Sequence, residues 1–240
     1  MKQTILSRIV FVIFISTPIP PISCLARTPA LGNRPGEIRI TSQTGLVEIR
    51  QDECNYSAHI NSNQTIIHNT PDIIIHESTP AIIPKLTPYL WQPETYSGYD
   101  WSFKNPGRKN LRWFGLICES AENLPFLKED KLATGLGNNE IIESNKRKCP
   151  ADLVNGKFTL TQELDSDKKY TIERITNSNW TGFLVLHRSK SKNKYDQMRF
   201  CLLHDDIVLI GSTENMQPAP MLDEKFRTMV IEFINSIKFQ

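Results

Sequence analysis

The side chains able to do chemistry are few and scattered. His204-Asp205-Asp206 is the densest polar set. An imidazole beside two carboxylates could hold a cation or orient a general base. The set lies between two apolar runs, where Asp serves a turn by hydrogen-bonding its own backbone. The turn is the stronger reading. His59, His68 and His76 recur at spacings of nine and eight. Three histidines can ligate zinc if their strands converge, but no HExxH or comparable local pair supports that. Cys201 and His204 make a single Cys-x-x-His. Residues three apart on a strand face opposite sides, which argues against a shared ligand site. No Gly-x-Ser-x-Gly elbow occurs, and TGLGNN lacks the Lys-Ser/Thr pair of a phosphate loop. These residues assign no catalytic group, no metal and no cofactor. A triad assembled from dispersed Ser, His and Asp stays open.

The richest binding chemistry is aromatic. Tyr89, Trp91, Tyr96, Tyr99 and Trp101 place five large rings within thirteen residues. Tyr and Trp bury large rigid areas at low entropic cost and concentrate at interface hot spots. The five are the candidate partner surface; the competing reading puts part of them in the core beneath a proline-rich loop. The basic loop Ser189–Lys194, SKSKNK, reads as a solvated hairpin.

Redox chemistry depends on compartment. The first residues, MKQTILSRIVFVIFISTPIPPISCLA, have Lys2 and Arg8, then the apolar run Ile9 to Ile15, then prolines and small residues. That is the layout of an export signal, with an apolar run too short to span a bilayer. Cleavage after Ala26 is expected. The alternative is lipidation of Cys24 in a lipobox-like Pro21-Ile22-Ser23-Cys24. Either way Cys54, Cys118, Cys149 and Cys201 remain, an even number that suggests two disulfides outside the cytoplasm. The spacing leaves three connectivities open. The shortest closure and most polar loop favour Cys118 with Cys149, leaving Cys54 with Cys201.

The chain has 28 Lys and Arg against 26 Asp and Glu. The signal takes two basic and no acidic residues, so the mature chain is neutral. It has no electrostatic footprint for nucleic acid.

The elements that must position these residues are mostly strands. After a polar lead-in, Arg27 to Gly36, β patterns recur at Glu37–Ile40, Leu46–Arg50, Thr65–His68 and Asp72–His76. LRWFGLIC, Leu111 to Cys118, reads as a buried strand. A short helix is expected around PFLKEDKL. Asn138 to Pro150, polar and ending in KRK, reads as an exposed loop or a lobe boundary. Lys157–Leu160, Tyr170–Ile175, Thr181–Arg188, Gln197–Leu203 and Ile207–Thr213 then read as strands joined by short turns, which implies an antiparallel meander. Leu222, Phe226, Met229, Val230, Phe233, Ile234 and Ile237 fall on one helical stripe. The expected architecture is α+β: an antiparallel meander with a C-terminal amphipathic helix on one face, preceded by a β-rich half. The divisions are 1–26 signal, 27–148 β-rich lobe, and 149–240 sheet plus helix, the last two either separate or continuous.

ERITNSNWTGFLVLHR, RFCLLHDDIVLIGSTE and FRTMVIEFINSIKF, within about Tyr170 to Phe239, resemble the end of PsbP-like domains. They are also similar to the C-terminal domain of periplasmic immunity proteins that neutralise type VI secretion phospholipase effectors. Both end in a strand, a helix and a Ser-Ile-Lys-Phe-like segment, here Ser236 to Phe239. The resemblance covers under a third of the chain. It implies a non-enzymatic, exported binding protein whose partner is a secreted toxin or effector. An exported hydrolase or metal-dependent enzyme is one alternative. A carbohydrate-binding or structural envelope protein is the other.

Overall fold

Runs of β-branched and aromatic residues, punctuated by Gly, Asn, Asp and Pro, fold into strands here, as their propensities direct. The computed structural model describes residues 39–41, 44–69, 71–77, 88–91, 100–105, 112–124, 136–191, 193–213 and 222–240. The first strands are β1 (Arg39–Thr41), β2 (Gly45–Gln51), β3 (Cys54–Ile60), β4 (Gln64–Asn69) and β5 (Asp72–Glu77). Next come β6 (Tyr89–Trp91), β7 (Ser102–Lys104), β8 (Trp113–Ser120), helix α1 (Leu136–Lys148), β9 (Ala151–Val154), β10 (Lys157–Leu160) and the short helix α2 (Gln162–Asp165). The chain ends with β11 (Tyr170–Thr176), β12 (Thr181–Arg188), β13 (Lys194–His204), β14 (Ile207–Ser212), β15 (Leu222–Asp223), helix α3 (Glu224–Ser236) and β16 (Lys238–Phe239). The export signal with Cys24, and the PFLKEDKL segment, lie outside the described residues.

One large sheet has the strand order β1-β4-β5-β8-β14-β13-β12-β11, with β15 beside β13. Neighbours run antiparallel throughout. The meander β11 to β14 and the C-terminal helix are both present. Strands outweigh helices, so the protein is β-rich, and α+β describes it only loosely. β8 joins the meander by pairing with β14, so strands from both sides of residue 148 share one sheet. A second sheet has the order β16-β3-β2, while β9 with β10 and β6 with β7 form separate two-stranded pairs.

Side chains alternate along a strand, so each strand of the large sheet supplies both faces. One face presents Ile73, Ile75, Phe114, Leu116, Leu184, Phe200, Leu202 and Leu209 to α3 and to β2 and β3. Phe233 of α3 packs against Phe114 with ring centroids 5.0 Å apart. The opposite face presents Ile74, Trp113, Phe183, Val185, Cys201, Val208 and Ile210 to Leu90, Phe103, Leu124 and Ala151. The sheet is therefore buried on both sides. All seven stripe residues of the C-terminal helical segment are buried.

The disulfides are Cys54–Cys118 and Cys149–Cys201, with Cα–Cα distances of 5.8 and 5.9 Å. This corrects the pairing favoured by loop length. Cys118 points to the α3 face, where Cys54 of β3 also sits, and Cys201 points to the other face with Cys149. A bridge from Cys118 to Cys149 would have to pass through the sheet. Each bridge instead staples one covering layer to it. Two disulfides fit an oxidising, exported environment. Among the described residues no helix is long and apolar enough to cross a membrane.

A second correction concerns Asn138 to Pro150. Its residues up to Lys148 belong to α1, not to a loop. Among its described side chains, those it buries are Ser144, Asn145 and Lys148. A helix whose inward face is polar shows no apolar stripe, so periodicity missed it.

Candidate functional site

β6 and β7 pair with Leu90 opposite Phe103, and both of these are buried. Alternation then directs Tyr89, Trp91, Ser102 and Lys104 to the opposite side. Tyr89 and Trp91 are half-buried. Lys104 Nζ lies 3.1 Å from the Trp91 ring centroid, a cation–π contact. Trp101 is only 3% exposed and meets Phe103 edge-on at 5.8 Å. The expected aromatic surface is thus divided. Tyr89 and Trp91 share an outer face, Trp101 belongs to the core, and Tyr96 and Tyr99 lie outside the described residues.

The chain just before β7 ties this pair to α1. Asp100 Oδ1 accepts from the Ser144 hydroxyl at 3.0 Å and from Arg147 Nη2 at 3.2 Å. Burial alone would raise the Asp100 carboxyl. The Ser144 hydroxyl, Lys148 and Arg147 outweigh it and hold the pKa below the ordinary carboxylate value. Lys148 Nζ stands 5.1 Å from the Trp101 ring. Asn145 Nδ2 donates to the Asn123 carbonyl, and Arg199 Nη1 donates to the Arg147 carbonyl at 2.6 Å.

Beside this network is a cavity of about 270 Å³. Its charged walls are Glu143, Lys146, Arg147 and Lys148 from α1, Glu163 from α2 and Arg199 from β13. Pro150, Thr161 and Leu164 complete it. The Cys149–Cys201 bridge fixes the geometry, because Cys149 follows the three cations and Cys201 is two residues from Arg199 on the same strand face. Sequence reading noted KRK but missed Arg199. The bridge itself was the available signal: pairing Cys149 with Cys201 brings those cations together.

The remaining candidates do not converge. Asp205 has φ 50° and turns the chain between His204 and Ile207, which pair as strand neighbours. His204 Nδ1 bonds the Asn179 carbonyl at 2.6 Å, and its ring stacks on Phe239 at 4.9 Å. Its place is structural. His59 is exposed on β3. His68 and His76 lie on adjacent strands but face opposite sides: residues 66 and 73 mark one face, and 67 and 74 the other. Burial pushes His76 down to about 4. Among the described residues no three His, Cys, Asp or Glu side chains gather as a metal site would need. No protein-family model matches the chain, and neither does any curated protein or solved structure.

Proposed function

We propose that this is an exported, non-enzymatic binding protein of the bacterial envelope, an immunity-type inhibitor that blocks a secreted toxin by contact. The observation that carries the reading is the outer face of β6 and β7. Trp91 and Tyr89 are partly exposed on a strand whose Leu90 is locked in the core. A partner would meet rings that are already positioned, so little ordering entropy opposes binding. The C-terminal likeness to periplasmic immunity proteins and the two stapling disulfides support the same reading. A standard interface buries about 800 Å² per partner. Two half-buried rings supply well under half of that, so neighbouring residues must complete the footprint.

The test is complex formation with the secreted toxin encoded beside the gene. A stable complex on size exclusion is expected. Trp91→Ala should weaken it about thirtyfold, the loss of one hot spot worth about 2 kcal/mol. The variant's melting temperature should stay close to that of the parent. Failure to bind any adjacent secreted toxin overturns the proposal. Cleavage after Ala26 leaves the protein free in the periplasm, whereas lipid on Cys24 tethers it; intact mass of the mature protein distinguishes the two.

A further inference from the structure

We propose that β2 is a dimerisation edge, pairing antiparallel with β2 of a second copy so that Glu48 of each chain lies opposite Arg50 of the other. Among the described residues β2 borders the small sheet, with β3 on one side and no strand on the other. It joins β3 through the two-residue loop Asp52-Glu53, and the pairing runs unshifted from Gln51 opposite Cys54 to Gly45 opposite Ile60. Residues flanking such a loop exchange both backbone bonds, and the pattern alternates along the ladder. Val47, Ile49 and Gln51 therefore turn their N–H and C=O groups to β3. Leu46, Glu48 and Arg50 turn theirs to the open edge. Edge strands are ordinarily blunted by shortness, proline, a bulge or an inward charge. β1, at the border of the large sheet, has three residues. β2 has seven, with no proline and no bulge, and its inward side chains Val47, Ile49 and Gln51 are uncharged.

Charge selects the occupant. Leu46, Glu48 and Arg50 are exposed on one face. Leu46, at 66%, is the most exposed large apolar side chain among the described residues. Neither Glu48 nor Arg50 forms an ion pair among the described residues. A two-fold axis through Ile49 sets Glu48 opposite Arg50 twice on that face. The same two positions carry outward backbone groups, so N–H···O=C bonds join the edges there. Leu46 then lies diagonal to the partner's Arg50, whose methylene stem can cover it. Moving the axis by one residue opposes Glu48 to Glu48 or Arg50 to Arg50, which is unfavourable. β11, the other long border strand, has no such match. Its Glu173 and Arg174 fall on opposite faces, and Glu173 is held by Arg227. The β2 edge is also fixed in advance. Gln51 Nε2 donates to the Leu116 and Pro71 carbonyls at 2.7 and 2.9 Å, and the Cys54–Cys118 bridge ties the hairpin to β8. Little ordering entropy opposes pairing. Two paired edges bury less than the about 1,600 Å² of a standard interface, so the dimer is weak and forms at raised concentration.

The test is sedimentation velocity of the full mature protein from about 5 to about 500 μM at low ionic strength, where exposed ion pairs are least screened. A reversible monomer–dimer equilibrium is expected across that range. Glu48→Arg and Arg50→Glu should each weaken dimerisation about tenfold or more, because each sets like charges opposite at two places. Mixed in equal amounts, the two single variants should pair with each other, and the double variant Glu48→Arg with Arg50→Glu should recover the parent's dimer. Trp91→Ala should dimerise as the parent does, which separates this edge from the outer face of β6 and β7. Glu48 and Arg50 are exposed, so their variants should melt with the parent protein. The proposal is overturned if the parent stays monomeric to the highest concentration or if either single variant dimerises as the parent does. It is equally overturned if neither mixing nor the double variant restores the dimer.

Discussion

Asp223 joins three elements through one carboxylate. It caps α3 by accepting the Phe226 N–H at 2.9 Å, and it accepts from Arg112 Nη1 at 2.9 Å. Arg112 also pairs with Glu77 at the end of β5. Burial alone would raise the Asp223 carboxyl; the Phe226 N–H and Arg112 outweigh it and hold the pKa low. Its contribution is therefore full above the unfolded carboxylate value and lost as pH falls. Asp223→Ala should cost about 1–2 kcal/mol by chemical denaturation at pH 7. Asp223→Asn, which keeps an accepting oxygen, should cost less. His76 has the opposite chemistry. Burial favours its neutral form and lowers its pKa from 6.5 to about 4. The unfolded chain takes the proton first, so stability falls as pH drops from 6.5 towards 4. The full loss is about 3 kcal/mol. Urea midpoints measured across that window should fall, and His76→Gln should flatten the slope. The sequence names both residues but discloses neither role, because burial and partners come from distant strands.

At the scale of elements, legibility follows where the apolar residues fall. The α3 stripe is legible because its inward side is continuous and apolar, and all of it is buried. The meander strands are legible because Ile, Val, Leu and Phe fill them. β3 is harder to read. Its sequence CNYSAHI buries the small residues Ser57 and Ala58 beside Tyr56 and Ile60, so its alternation is weak. α1 hides for a related reason, the buried side chains among its described residues being polar. Close strand packing adds a constraint that sequence also conceals. A Cβ at Gly182 of β12 would collide with the carbonyl oxygen of Cys201 on β13. That oxygen belongs to a paired backbone and has little room to move. Gly182→Ala should therefore destabilise the protein by about 2–3 kcal/mol. Guanidinium unfolding would measure it, and a loss below 0.5 kcal/mol would contradict the close approach.

Across the whole molecule, one sheet lies between two covering layers, and each layer has its own covalent tie. The bridges close loops with sequence separations of 64 and 52. In the chain-entropy model each contributes about 4 kcal/mol. Cys149→Ser with Cys201→Ser should lower the guanidinium midpoint by the corresponding amount and disorganise the cavity beside α1. Non-reducing peptide mapping should recover Cys54 linked to Cys118 and Cys149 linked to Cys201; a Cys118–Cys149 peptide would contradict the fold. By itself the sequence determined the strand periods, the C-terminal helix and the even cysteine number, because each is a local pattern. Only the tertiary structure decided which cysteines meet, that Trp101 is core while Trp91 is not, and that Arg199 joins KRK around one cavity. A two-residue period says that neighbours along a strand face opposite ways. It does not say which strands lie side by side or what covers each face, and those long-range choices place every candidate side chain.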